Sequence, residues 1–150
     1  APGDETSTGE RVVITQKDIG EIQLAKAAIH AGCAILMRRA GVNASDLKRV
    51  YIAGSFGNYL SPSSARALGM IPEVPVGIIT FVGNTAIAGA KMCLSSLEAR
   101  RRAKAIGEKV RYIELGADLD FSKEFAGSMY LPHQDPSLFP ETYALLGLQK

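Results

Sequence analysis

The residues best suited to chemistry sit in two glycine turns and on one helix. The apolar run Val50-Tyr51-Ile52-Ala53 empties into Gly54-Ser55-Phe56-Gly57-Asn58-Tyr59. Glycine at the carboxyl end of a strand lets the backbone approach a ligand closely, and open α/β sheets bind ligands at those ends. The Gly54 and Ser55 amides suit a sugar or phosphate, the Phe56 ring suits stacking, and Asn58 offers polar recognition. The competing reading is a tight strand-to-helix turn, with Gly54 and Gly57 supplying freedom and Phe56 plugging the core; the turn by itself fits this somewhat better. It is neither a GxGxxG fingerprint nor a GxxxxGK loop, so no dinucleotide fold or P-loop is implied. A second turn, Val82-Gly83-Asn84-Thr85-Ala86, presents Asn84, Thr85 and helix amides to an anion, although helix capping by Asn84 accounts for it more simply.

On the first helix, Lys26 falls inside an apolar stripe, and Gln23, Lys26 and His30 follow one another at three- and four-residue spacing along one edge. A cationic, amide-bearing seam suits an adenosine or phosphate group. A lysine that snorkels over apolar neighbours gives the same pattern. His30 is expected at the surface or capped, since no carboxylate or nucleophile stands near it in sequence. Asp118 and Asp120 have the spacing for a magnesium ion but read equally as a loop and helix cap. Cys33 and Cys93 are too few and too far apart for a zinc CxxC site or an iron–sulfur cluster, which needs about four thiolates, and both read as buried, inert thiols. The residues supply no metal set, and no catalytic group is identified.

Several elements must position these residues. Thr15-Gln16-Lys17-Asp18 has capping-box spacing and starts a helix over about 16–40, stopped by Gly41 after Arg38 and Arg39. Ile19, Ile22, Ala25, Ile29, Cys33 and Leu36 form one stripe, and Leu24, Ala28 and Ile35 a second one nearly opposite, so the helix should be covered on two sides. Strands are expected at Arg11–Ile14, Arg49–Ala53, Val76–Val82 and Val110–Leu115. Ser61 and Pro62 open a short helix ended by Gly69, Asn84 caps a helix over about Thr85–Arg102, and Asp120–Phe125 starts a last one. Alternating strands and helices predict an α/β layered sheet with helices on its faces and parallel pairings. Residues 1–10 read as a linker, 11–132 as the domain and 133–150 as a docking tail.

Composition narrows the class. A chain of 150 residues, 47% hydrophobic and 21% charged, suits one folded domain of the usual ~100–150 residues rather than a disordered or fibrous chain. A net charge of +2, with one basic cluster at Arg100-Arg101-Arg102 and Lys104, does not point to nucleic acid. The polar, acidic start is no signal peptide, and the longest apolar stretch, Val74–Val82, is far below the roughly 20 residues of a bilayer span. No membrane partner and a cytoplasmic setting are expected. The chain opens with Ala rather than Met, consistent with a piece of a longer protein.

Read together, Ile14-Thr15-Gln16-Lys17-Asp18-Ile19, Gln23-Leu24-Ala25-Lys26-Ala27-Ala28-Ile29, Val50–Tyr59, Val82–Ala86 and Tyr112-Ile113-Glu114-Leu115 resemble the C-terminal domain of the ATP-dependent reductive activators of corrinoid methyltransferases. The similarity runs over about residues 11–132. The resemblance implies half of an actin- or sugar-kinase-like (ribonuclease H-like) ATPase fold, shared with the heat-shock chaperones. It implies ATP with magnesium as cofactor, an iron–sulfur cluster only in a domain outside this chain, and a corrinoid protein or methyltransferase as partner, with ATP helping to push an electron onto cob(II)alamin. Val50–Gly57 is similar to the superfamily's adenosine motif, and Gln23 and Lys26 to a chaperone helix carrying Glu and Lys three apart, with Gln23 replacing the acid. The resemblance thus implies nucleoside-binding roles for Gln23, Lys26, Gly54, Ser55, Phe56, Gly57, Asn58, Gly83 and Asn84. Neither an Asp-x-Gly-Thr nor an Asp-Gly-Gly-Gly-Thr phosphate loop occurs, so the isolated chain should be inactive as an ATPase. Two further readings stay open: a non-catalytic interaction or homodimer module using Leu138, Phe139 and Leu146, and a small sugar-kinase-like enzyme drawing a base from Asp118, Asp120 or His133.

Overall fold

The computed structural model describes Pro2 and residues 5–54 and 60–148. Helix α1 (Gln16–Ala40) has the ends its sequence predicts. The Asp18 amide donates to Thr15 Oγ1 (3.3 Å) and the Thr15 amide to Asp18 Oδ2 (2.8 Å), satisfying two otherwise orphaned donors. Gly41 ends the helix in the left-handed conformation, after Arg38 and Arg39 in the last turn.

The packing of α1 departs from expectation. Ile19, Ile22, Leu24, Ile29 and Leu36 stay exposed, and the buried arc is Lys26, Ala27, His30, Ala31, Gly32 and Ile35, which keeps Ile35 from the second stripe and leaves out the bulky residues of the first. Small residues decide this. Helix α5 (Phe121–Ser128) is the principal partner of α1, and close approach of two helices favours Ala and Gly over bulky side chains. By length and mean hydropathy (1.2 over 18 residues) α1 matches a bilayer-spanning helix, yet its buried face carries a lysine and a histidine.

The sheet is a parallel pair, β1 (Val50–Ala53) and β2 (Ile79–Gly83), in the register Val50 opposite Ile79 and Ala53 opposite Gly83, with a bulge after Ile52. Between them lies α2 (Pro62–Ala67), capped by Ser61, whose hydroxyl accepts from the Ser64 amide at 3.0 Å. Ala65, Ile71, Val74 and Ile79 form the core here, with Leu47, Val50, Ile52 and Leu60 against it. Residues 76–78 turn into β2 rather than extend it. The strands expected at 11–14 and 110–115 are not formed: among the described residues the sheet has two strands, and a β-prone run becomes a strand only where a neighbour takes its amides.

The helix expected over 85–102 breaks at Ser96 into α3 (Thr85–Ser95) and α4 (Leu97–Gly107). Ser96 is extended (φ −142°, ψ 122°) and its hydroxyl accepts from the Ala99 amide at 3.2 Å, so a serine inside a helical pattern acts as a fresh cap. The chain closes with α6 (Pro140–Leu145). Its anchors are Phe139, fully buried, and Thr142, whereas Leu145 and Leu146 remain exposed. Glu73 caps α6 from afar, accepting from Thr142 N (2.8 Å), Thr142 Oγ1 (2.6 Å) and Glu141 N (3.0 Å). Helices and a parallel strand pair joined through α2 make this an α/β fold.

Candidate functional site

The two strands end side by side. Ala53 lies opposite Gly83, and the Gly54 amide donates to the Gly83 carbonyl at 2.8 Å. Gly54 (φ +98°) and Gly83 (φ +65°) both adopt backbone conformations that side chains resist. Among the described residues a Cβ on either would meet nothing within 4 Å, so the backbone angle is what demands glycine at both. Asn84 follows directly and its Oδ1 accepts from the Ile87 amide at 3.1 Å, capping α3. The structure therefore brings Gly54, Gly83 and Asn84 together at one sheet end. Ser55, Phe56, Gly57 and Asn58 lie outside the described residues.

Gln23 and Lys26 are engaged by the end of the chain. Gln23 Nε2 donates to the Met129 carbonyl at 2.9 Å, and Lys26 Nζ donates to the carbonyls of Tyr130 and Pro132 at 2.6 Å each. Lys26 does not snorkel: its side chain is fully buried. Burial brings its ammonium down to about 8, and carbonyl dipoles stand where a counter-ion would be expected.

His30 is buried rather than at the surface, one turn beyond Lys26. Its ring packs against His133 (centroids 5.3 Å apart) and Phe139 (5.4 Å), and His133 stacks on Phe139 at 6.2 Å. Burial, then the His133 and Lys26 charges, pushes His30 down to about 4, and burial also lowers His133. Glu124 faces this pair, its Oε1 3.7 Å from His133 Nε2, while its Oε2 accepts from Arg38 at 3.0 Å. Sequence reasoning missed this grouping. Its members come from α1, α5 and the segment after α5, and no local spacing links them.

The carboxylates considered for magnesium are taken by arginines. Asp118 pairs with Arg39 at 2.6 Å, which holds its carboxyl below the ordinary range, and Asp120 pairs with Arg38 at 3.1 Å. Cys33 and Cys93 are half-buried, and burial pushes the Cys33 thiol up. Phe139 is a core residue, unavailable for clasping another chain, whereas Leu138 and Leu146 are about half exposed.

Comparison with known proteins places this geometry. Corrinoid activation enzyme RamQ of Eubacterium limosum is 38% identical over 121 residues, 81% of this chain and 20% of that protein. The Co(II) methylated amine-specific corrinoid protein reductase of Methanosarcina barkeri is 34% identical over 90 residues, 60% of this chain and 16% of that one. A solved structure of a reductive activator for corrinoid, iron–sulfur protein superposes with a TM-score of 0.86 at 35% identity, covering 94% of this chain and 22% of its own. The chain spans about a fifth of the length of these relatives. A family model described as the C-terminal domain of RACo, the ASKHA domain, matches residues 1–143. With the parallel strand pair and its glycine ends, that match means that this chain belongs to the RACo C-terminal ASKHA domain family.

Proposed function

We propose that the chain is the C-terminal, nucleotide-facing portion of a protein that couples ATP to the return of cob(II)alamin to cob(I)alamin on a corrinoid protein. The observation that carries this reading is family membership, joined to relatives named for corrinoid activation and for reduction of a corrinoid protein. Reduction of the cobalt takes up one electron, and two cysteines cannot hold an iron–sulfur donor, so the donor lies in another part of the longer protein. The face over Gly54 and Gly83, with Asn84 beside it, is the adenosine floor, and Ser55–Asn58, which follow Gly54 in sequence, keep the nucleoside-binding role the resemblance implies for them. Lys26 is buried beneath residues 129–132, so a nucleotide reaches its ammonium only if that segment lifts; Gln23 is tied to the same segment. Magnesium and the phosphates are gripped elsewhere, and without that clamp the transition-state charge of phosphoryl transfer is left unstabilised.

Calorimetry with adenosine and with magnesium ATP tests this. The chain is expected to bind both with comparable affinity and to turn over neither, and Gly83→Val should abolish binding by forcing the strand end out of its φ of +65°. ATP turnover by the chain, or failure to bind either ligand, overturns the reading. A second reading, a packing or dimerisation module, draws support from the exposed Ile19, Ile22, Ile29 and Leu36 of α1. A dimer mass in light scattering, with no nucleotide binding, would favour it.

A further inference from the structure

Three buried side-chain atoms among the described residues have no hydrogen-bond partner: His30 Nδ1, His133 Nε2 and Ser128 Oγ. A bare buried polar atom forfeits its hydration without replacing it, and native proteins leave few of them. Two of the three residues converge. His30, Glu124 and His133 each offer one ligand-type atom, all within 4.8 Å of one another. The histidines are 4% and 6% exposed, so bulk water does not satisfy them.

We propose that His30, Glu124 and His133 form a site for a divalent first-row transition metal of the zinc type, with a further coordination position open to the adjoining cavity. Two imidazoles and one carboxylate are a borderline nitrogen and oxygen donor set that suits such ions. Metal–ligand distances of about 2.0–2.2 Å place tetrahedral ligands roughly 3.3 Å apart, so small side-chain rotations close the set. His133 Nε2 and Glu124 Oε1 are already 3.7 Å apart. The outer layer is in place as well. Arg38 occupies Glu124 Oε2 and leaves Oε1 to the cluster, and Phe139 packs against both rings. Gly127 keeps the approach open, since a Cβ there would stand 3.4 Å from both Cε1 and Nε2 of His133. A cavity of about 600 Å³, lined by Glu124, Gly127, His133 and Gln134 among others, leads to solvent.

Two features set the strength of the site. His133 Nδ1 accepts from the Asp135 amide at 2.9 Å, so without metal the ring proton sits on Nε2, toward Glu124. Metal on Nε2 moves that proton to Nδ1 and turns the Asp135 amide to water. Asp135 is exposed, so water takes its amide in exchange for the lost bond. The buried Lys26 ammonium acts on both rings, helping to keep them neutral, and it also opposes a second cation. Both features weaken the site relative to one with no neighbouring cation and no bond to exchange.

The test is titration of the chelator-stripped 150-residue chain with Co²⁺, followed by visible absorption, and then displacement by Zn²⁺. One equivalent of cobalt should bind with ligand-field bands and no thiolate charge-transfer band, and zinc should displace it. Glu124→Gln, which keeps the side-chain shape, and His133→Gln should each weaken binding about tenfold or more. Gly127→Ala should weaken it by crowding His133, and Cys33→Ser with Cys93→Ser should leave it unchanged. Absence of stoichiometric binding, binding that survives Glu124→Gln, or a thiolate band overturns the proposal. Should His133→Gln not fold, Glu124→Gln decides.

Discussion

Replacing Lys26 by Met asks what holds α1 to the end of the chain. The ammonium is fully buried and donates to two carbonyls at 2.6 Å. No ion pair includes it among the described residues. Uncovering the Tyr130 and Pro132 carbonyls costs about 1–3 kcal/mol each. Burying a thioether in place of an ammonium returns about 1–2 kcal/mol by removing the desolvation of a charge. At the midpoints of these ranges, about 4 less about 1.5 kcal/mol, the balance is a loss of about 2–3 kcal/mol, a fall in Tm of roughly 6–10 °C for a domain of this size. Urea unfolding and scanning calorimetry read both. The pH dependence gives a second, independent signature. Burial brings the folded pKa from 10.5 down to about 8, so between those values the unfolded chain binds more protons and the stability of the unsubstituted protein rises with pH. The Met variant lacks that rise, and the gap between the two proteins should widen from pH 8 to 10.5. A Met variant as stable as the original refutes the reasoning, since desolvation would then outweigh the two bonds and the lysine would be present for a ligand instead.

Gly69→Ala should destabilise by more than about 3 kcal/mol in urea unfolding, because Gly69 has φ +70° and a Cβ there would stand 2.1 Å from the Pro132 carbonyl oxygen; a neutral result would mean that residue 132 is free to move. Glu73→Ala removes the remote cap of α6 and should cost about 1–2 kcal/mol, seen as faster chymotryptic cleavage after Tyr143 within α6, with an unchanged rate counting against the cap. His30, lowered from 6.5 to about 4, stays neutral in the folded protein while the unfolded chain protonates, so about 3 kcal/mol of stability should be lost as pH falls from 6.5 to 4. Comparison with His30→Gln isolates this loss from the carboxylates, and parallel pH curves for the two proteins would contradict it.

What could be read from the sequence was local. The Thr15–Asp18 box, the Gly41 stop and the Ser61–Pro62 start each involve residues within four positions, and the structure has all three where the sequence puts them. The glycine-ended strand pair was visible too, because an apolar run followed by glycine needs no distant information. The expected strands at 11–14 and 110–115 depended on neighbours that local patterning does not supply. The break at Ser96 rests on a serine hydroxyl recapping the chain inside a helical pattern, a choice that the pattern over 85–102 does not reveal by itself. For α1, bulk suggested the buried face, but the face that tertiary packing buries carries the small residues Ala27, Ala31 and Gly32. Lys26 stood out as a charge among apolar residues, but its partners lie more than a hundred residues away. The His30–Glu124–His133 grouping is equally non-local, which is why sequence reasoning treated His30 as a surface residue.

The bonds from Lys26 to Tyr130 and Pro132 span 104 and 106 residues. Closing a loop of that length costs on the order of 4 kcal/mol of chain entropy, and it cannot happen until the second partner has been made. At roughly 5–20 residues per second, about 5–20 s of synthesis separate the emergence of α1 from that of the segment that covers it. Helix α1 therefore waits for its cover, and its lysine and histidine face solvent throughout that interval. Stalling or truncation before residue 132 leaves α1 without the cover that buries them.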